Sequence, residues 1–176
     1  MSSMVEVNVA RLGLDGSTNS YVVILKEKDG DRLLPIWIGQ AEAESILLEM
    51  NGVKKERPLT HDLCRSLVLG LGGDLRRVQI TRVMKGTYYA EMHIVRSDAV
   101  YTVDSRPSDA IAVALRFPAP IYAEDSLLAD AVTEEETDEA SIPKATPIQS
   151  TDEMNAEELK QYLSGLRPED FGKFHL

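Results

Sequence analysis

The stretch Asp104-Ser105-Arg106-Pro107-Ser108-Asp109-Ala110-Ile111-Ala112 predicts the passage from a strand into a helix of small residues. Proline favours the first helical position, and Ser and Asp are ordinary capping residues. Pro118 and Pro120 end the predicted helix, which spans residues 107–117. Because a helix N-terminus carries unpaired N–H groups and a partial positive charge, it attracts anions or the protein's own carboxylates. The stretch therefore indicates either an elaborate N-cap or part of a functional site.

Two further helix starts carry charged residues. Gly39-Gln40-Ala41-Glu42-Ala43-Glu44 begins a predicted helix over 40–50, and Arg57-Pro58-Leu59-Thr60-His61-Asp62 precedes one over 60–71, with Thr60 as its cap. Three such starts in one small domain favour a functional site over capping alone.

The remaining pattern predicts strands. Alternating or continuous β-branched runs, separated by turn residues, form two β-meanders and a short last strand. Pro35 favours an edge position for the third strand. The predicted fold is α+β: a mixed, largely antiparallel sheet from two β-meanders with three packed helices. The predicted strands are residues 5–12, 20–27, 32–38, 75–84, 87–95, 100–103 and 121–123.

Composition restricts the class of protein. The chain has 176 residues and 43% hydrophobic content, which suits one folded core. No apolar run reaches the ~18 residues of a membrane span, and residues 1–7 resemble no secretory signal. The single Cys64 cannot form an internal disulfide. We expect a cytoplasmic protein without a membrane partner.

The acidity is concentrated at the C-terminal end. Residues 1–128 hold 15 Lys and Arg against 17 Asp and Glu, a net charge of −2, whereas residues 129–176 hold 4 against 12, a net charge of −8. We therefore predict a folded domain over 1–128 and an acidic flexible linker over 129–152. A short amphipathic helix and tail over 153–176 is expected to dock on its own domain, on another subunit or on a protein partner.

Oxygen and imidazole groups are the first candidates for chemistry. Asp104 and Asp109 flank a turn and are candidates to converge on Mg²⁺ or Mn²⁺, although capping and pairing with arginine explain the same residues. His61 is a natural proton donor and acceptor near neutral pH, but a histidine at a helix start is often only a surface residue.

Cationic and aromatic side chains are the candidates for binding. Arg57 and Arg106 accompany helix starts, where a phosphate gains a guanidinium and free N–H donors; pairing with nearby aspartates is the alternative. Tyr88 and Tyr89 face opposite sides of a strand, so at most one can stack on a base at a given surface. Trp37 is interpreted as a core or interface residue. The chain has no Walker loop, zinc spacing or nucleophile elbow.

Four motifs together resemble one known family. The motifs are the stretch 104–112 together with Leu34-Pro35-Ile36-Trp37-Ile38-Gly39-Gln40-Ala41-Glu42-Ala43, Arg57-Pro58-Leu59-Thr60-His61-Asp62-Leu63 and Gly86-Thr87-Tyr88-Tyr89-Ala90. In their order along the chain they resemble the bifunctional nuclease domain, over about residues 4–128. The resemblance implies an α+β fold, homo-oligomerisation and cleavage of both RNA and DNA. The alternative is a non-catalytic oligomeric module that recognises an anionic ligand or a protein partner.

The resemblance also suggests roles for the motif residues. His61, Asp62, Asp104 and Asp109 would be catalytic. Asp104, Asp109 and Glu42 would hold a divalent ion, Mg²⁺ or Mn²⁺, that activates water. Substrate phosphate would be held by Arg57, Thr60, Arg106 and Ser108.

Overall fold

The computed structural model describes residues 3–130 and 145–147. Three helices and seven main strands make up the domain. The helices are α1 (Gln40–Met50), α2 (Thr60–Gly70) and α3 (Pro107–Arg116). The strands are β1 (Met4–Asp15), β2 (Ser20–Glu27), β3 (Leu33–Ile38), β4 (Asp74–Met84), β5 (Thr87–Arg96), β6 (Ala99–Ser105) and β7 (Ile121–Glu124).

The strands form one mixed sheet in the order β3-β2-β1-β7-β4-β5-β6. Each group of three consecutive strands is an antiparallel meander, and β7 lies between the two groups. It pairs antiparallel with β1 and parallel with β4. This confirms the predicted α+β class with its largely antiparallel sheet, and it confirms that Pro35 lies on an edge strand.

Helix α3 is the central element of the packing. It contacts α1, α2, β4 and β5, and most of its residues are buried. Its run of Ala110, Ile111, Ala112, Val113 and Ala114 explains this position, because small side chains allow neighbouring backbones to approach closely on every side. The polar N-terminus of α3 is consequently held against the two other helices.

The turn between β4 and β5 has the backbone conformation that a tight hairpin requires. Lys85 and Gly86 both adopt positive φ angles, of 50° and 77°, between β4 and β5. A two-residue hairpin requires this left-handed conformation, and glycine adopts it at little cost. Lys85 and Gly86 therefore form a tight two-residue turn that sets the register between β4 and β5.

Helix ends agree with the predictions to within one residue, with one difference in capping. Leu59, and not Thr60, is the N-cap of α2, and its backbone N–H donates to Asp62 Oδ2 at 2.9 Å. The carboxylate at the third helical position replaces the hydroxyl cap predicted from Thr60.

The chain beyond β7 is described in part. Ala129 exchanges two backbone hydrogen bonds with Leu33, and Ala145–Pro147 pairs with the end of β1 as a short strand, β8. Most of the predicted acidic linker and the whole predicted C-terminal helix lie outside the described residues.

Candidate active site

His61 lies between a hydroxyl and a carboxylate. It is the second residue of α2 and is 8% exposed. Its Nδ1 is 2.7 Å from Ser45 Oγ on α1, and its Nε2 is 3.0 Å from Asp109 Oδ1 at the start of α3. Each of the three helices thus contributes one side chain to a single hydrogen-bonded chain.

Arg106, the residue before α3, extends this chain at the carboxylate end. Its Nε and Nη2 donate to the two oxygens of Asp109, at 2.7 and 3.1 Å, and Nη2 also donates to Glu42 Oε1 at 2.6 Å. The Arg106 side chain is 66% exposed, and Nη1 makes none of the hydrogen bonds found among the described residues. Arg106 therefore retains donors that face solvent.

Close packing at the start of α1 positions Glu42. A Cβ atom at Gly39 would collide with the Glu42 carboxylate. The absence of a side chain at Gly39 lets that carboxylate fold back over the helix start, where it reaches Arg106.

A second, partly buried ion pair holds the three helices together. Arg116 of α3 is 4% exposed, and its Nε donates to Asp62 Oδ1 at 2.5 Å. The same guanidinium donates to the carbonyl oxygens of Ala112 and Ser45, at 2.8 and 3.3 Å. Because it reaches residues of α1 and α2 from α3, Arg116 fixes the spacing of Ser45, His61 and Asp109.

The charge states follow from these contacts. Burial alone would raise the pKa of the Asp109 carboxyl, but hydrogen bonds from Arg106 and His61 outweigh it and hold that pKa below its ordinary value. The pKa of Asp62 is likewise lowered, because the hydrogen bonds from Arg116 and the Leu59 N–H outweigh the effect of burial. Both aspartates are ionised at neutral pH. An ionised Asp109 can only accept, so it fixes the proton of neutral His61 on Nε2 and leaves Nδ1 as the acceptor for Ser45.

These side chains line an open cavity of about 660 Å³ between the starts of the three helices. Its wall is partly apolar, from residues such as Leu48, Leu59 and Leu63. Its polar side chains are Glu42, Glu44, Ser45, Thr60, His61, Arg106 and Asp109.

The four other residues predicted for the site do not line this cavity. Ser108 is buried and lines a second cavity beside Arg106. Arg57 is exposed and does not line the first cavity, and Asp62 faces Arg116 instead. Asp104 is exposed on β6, opposite Glu91, outside the cavity wall.

The predicted metal ligands do not fit a metal centre in this arrangement. Among the described residues, no group of three His, Cys, Asp or Glu side chains is close enough to hold an ion. Glu42 and Asp109 are joined by the Arg106 guanidinium, which takes the place that a cation between them would need.

Sequence reasoning missed Ser45 and Arg116. Ser45 lies three residues after Glu42, so both belong to one face of α1. Arg116 follows Asp109 by seven residues, or two turns, and is a charged residue at the end of an otherwise apolar helix. A buried cation on an apolar face is the signal that could have identified Arg116.

Comparison with known proteins adds a family. The family model described as bifunctional nuclease domain matches residues 23–136. A protein of Mycobacterium tuberculosis described as uncharacterized is 43% identical over 170 residues, which is 96% of this chain and 98% of that protein.

Plant proteins named bifunctional nuclease are also similar. Bifunctional nuclease 2 of Arabidopsis thaliana is 33% identical over 104 residues, which is 56% of this chain and 31% of the plant protein. Bifunctional nuclease 1 of Oryza sativa subsp. indica is 28% identical over 121 residues, covering 66% of this chain and 37% of its own length. This chain matches about a third of each plant protein.

Proposed function

The chain belongs to the bifunctional nuclease domain family, and we propose that it hydrolyses phosphodiester bonds of RNA and DNA with little sequence preference. The observation that carries this proposal is the chain of hydrogen bonds Ser45–His61–Asp109–Arg106 on the wall of an open cavity. The names of the plant relatives agree with this activity.

His61 is the proposed proton carrier. Its Nδ1 accepts the proton of Ser45 while Asp109, on the other side of the ring, stabilises the imidazolium that forms. Ser45 Oγ is the candidate nucleophile. Its attack on phosphorus breaks the bond to the leaving oxygen, which takes the proton from His61. Water then attacks the phosphorus and breaks its bond to Ser45 Oγ, while His61 takes a proton from the water and returns it to Ser45 Oγ.

Arg106 is the proposed phosphate ligand. Its solvent-facing donors match the oxygens of a phosphodiester, whose charge increases at the transition state. Two carboxylates already pair with this guanidinium, so its attraction for an incoming phosphate is reduced but not removed. Binding must therefore draw on other contacts as well.

The experiment is cleavage of fluorescent single-stranded RNA and DNA oligonucleotides by purified variants. We expect His61→Gln and Ser45→Ala each to lower kcat/KM about 10²- to 10⁴-fold, the usual contribution of proton transfer. The matched control is His93→Gln, because His93 is also largely buried but lies on β5, outside the cavity.

Activity that persists in both His61→Gln and Ser45→Ala would contradict the proposal and indicate a contaminating nuclease. The same assay in Mn²⁺, Mg²⁺ and EDTA tests the predicted divalent ion. Because Arg106 already joins Glu42 and Asp109, we expect cleavage to continue in EDTA.

A non-catalytic oligomeric module is the second candidate function. It is supported by exposed apolar side chains on edge strand β6, at Val100, Tyr101 and Val103. An edge strand with such side chains is typical of a surface that pairs with another chain. A homo-oligomer without cleavage in the assay above would favour this candidate. Within the described residues, no helix has the length and apolar character needed to cross a membrane.

A further inference from the structure

We propose that Trp37 and Tyr88 form a stacking site for an unpaired nucleobase beside Arg106, and hence that the substrate is single-stranded nucleic acid. This inference rests on the proposed function. It starts from a second cavity, of about 380 Å³, lined by Trp37, Gly86, Tyr88, Arg106, Pro107 and Ser108. Arg106 lines both cavities, so a ligand whose phosphate lies at Arg106 extends into either one.

The Trp37 ring is exposed but held in place. It lies on edge strand β3 and is 46% exposed, so of the predicted core and interface positions it does not occupy the core. Its Nε1–H donates to Asp15 Oδ2 at 3.0 Å. Asp15 is itself buried and fixed by Ser17 and Thr18, and these contacts keep the pKa of its carboxyl well below the ordinary value. An oriented, solvent-facing indole is a preformed surface for stacking, which lowers the entropy cost of binding.

Polar groups beside the two rings suit a nucleotide. Ser108 is 6% exposed and lines this cavity, which places its hydroxyl within the space that a base edge or a sugar hydroxyl would occupy. The half-buried Tyr88 lies on β5, directly after the hairpin that contains Gly86, and forms another part of the wall.

The charge of the domain favours base contacts. Residues 1–128 carry a net charge of −2, so the domain as a whole has no excess of Lys and Arg to neutralise phosphates. Stacking of bases on aromatic rings does not depend on net charge and tolerates every base. It also requires unpaired bases, because those of a duplex are already stacked inside the helix.

Fluorescence of Trp37 gives a direct test, since the chain contains one tryptophan. The probes are a non-hydrolysable phosphorothioate single strand, its duplex, and an abasic strand with the same backbone. We expect the single strand to quench Trp37 and to bind about 5- to 100-fold more tightly than the abasic strand, with the duplex also weak.

Variants are compared by fluorescence anisotropy of the labelled strand. Trp37→Ala should lose most of the preference for the single strand over the abasic strand, whereas Trp37→Phe should keep it. Tyr122→Ala is the matched control, because Tyr122 is also a partly exposed aromatic residue but lies on β7, outside this cavity. A thermal melt of each variant shows whether it is folded.

The outcomes separate the two proposals. Equal binding of the single and abasic strands without quenching, or tight binding of the duplex, overturns the stacking site and leaves the nuclease proposal standing. Failure of every strand to bind overturns both.

Discussion

The ion pair between Asp62 and Arg116 should be a large local contribution to stability, and Asp62→Asn tests it. Breaking a buried pair by removing one charge costs about 3–5 kcal/mol, because the remaining charge stays buried. Here Asp62 is 34% exposed, and Arg116 keeps two carbonyl acceptors. We therefore expect a smaller loss of about 2–3 kcal/mol, which lowers Tm by roughly 8–12 °C for a domain of this size.

The assay is urea denaturation at pH 7, followed by circular dichroism, with a thermal melt in parallel. Asp31→Asn is the matched control. Asp31 pairs with Lys26 at 2.8 Å, but both side chains are well exposed, so its loss should cost less than ~1 kcal/mol.

A double-mutant cycle identifies the cause. In the background Asp62→Leu, the further change Arg116→Met should cost much less than Arg116→Met alone, since the partner charge is already gone. If Asp62→Asn is no more destabilising than Asp31→Asn, or if the two changes add fully, the pair does not hold the helices as we argue.

Two further predictions follow from the charges and the exposed surface. The pKa values of Asp62 and Asp109 are lowered in the folded state. The stabilisation that these two ionised carboxylates give the folded protein is therefore fully present above the unfolded-state pKa of about 4, and it is lost as pH falls through the folded-state pKa values. Urea denaturation between pH 7 and pH 2.5 should therefore show stability falling below about pH 4, and less steeply in Asp62→Asn; an unchanged slope would contradict this. If β6 is an oligomer interface, Val103→Lys should lower the mass measured by light scattering, whereas Asp31→Asn should leave it unchanged; an unaltered oligomer would show that subunits associate elsewhere.

Local signals explain what the sequence predicted well. The three helices were predicted to within one residue because their ends are set by nearby residues, such as Gly52 after α1 and Pro118 after α3. Both meanders were predicted because each strand pairs with its neighbour in sequence through a short turn. The order of the whole sheet was not predicted, since the place of β7 depends on contacts with strands far away in the chain.

The candidate site also depends on contacts between residues that are far apart in the chain. His61, Asp109, Arg106 and Glu42 were named individually, and the structure brings them together. The contact of Ser45 with His61 was not predicted, because spacing along a helix specifies which residues share a face but not which helix packs against that face. Trp37 was predicted only as a core or interface residue for a related reason, since alternation in a strand does not show which face is covered.

The central place of β7 determines when the sheet can form during synthesis of the chain. Residues 121–124 are the last of the seven strands to be synthesised, yet they join the first meander to the second. Until they emerge, β1 and β4 each present an unpaired edge, which is a template for aggregation. Pairing of the whole sheet must therefore wait until residues 121–124 have been synthesised, and a truncation just before Ile121 should leave β1 and β4 without the strand that lies between them, although α3 still contacts both halves of the domain.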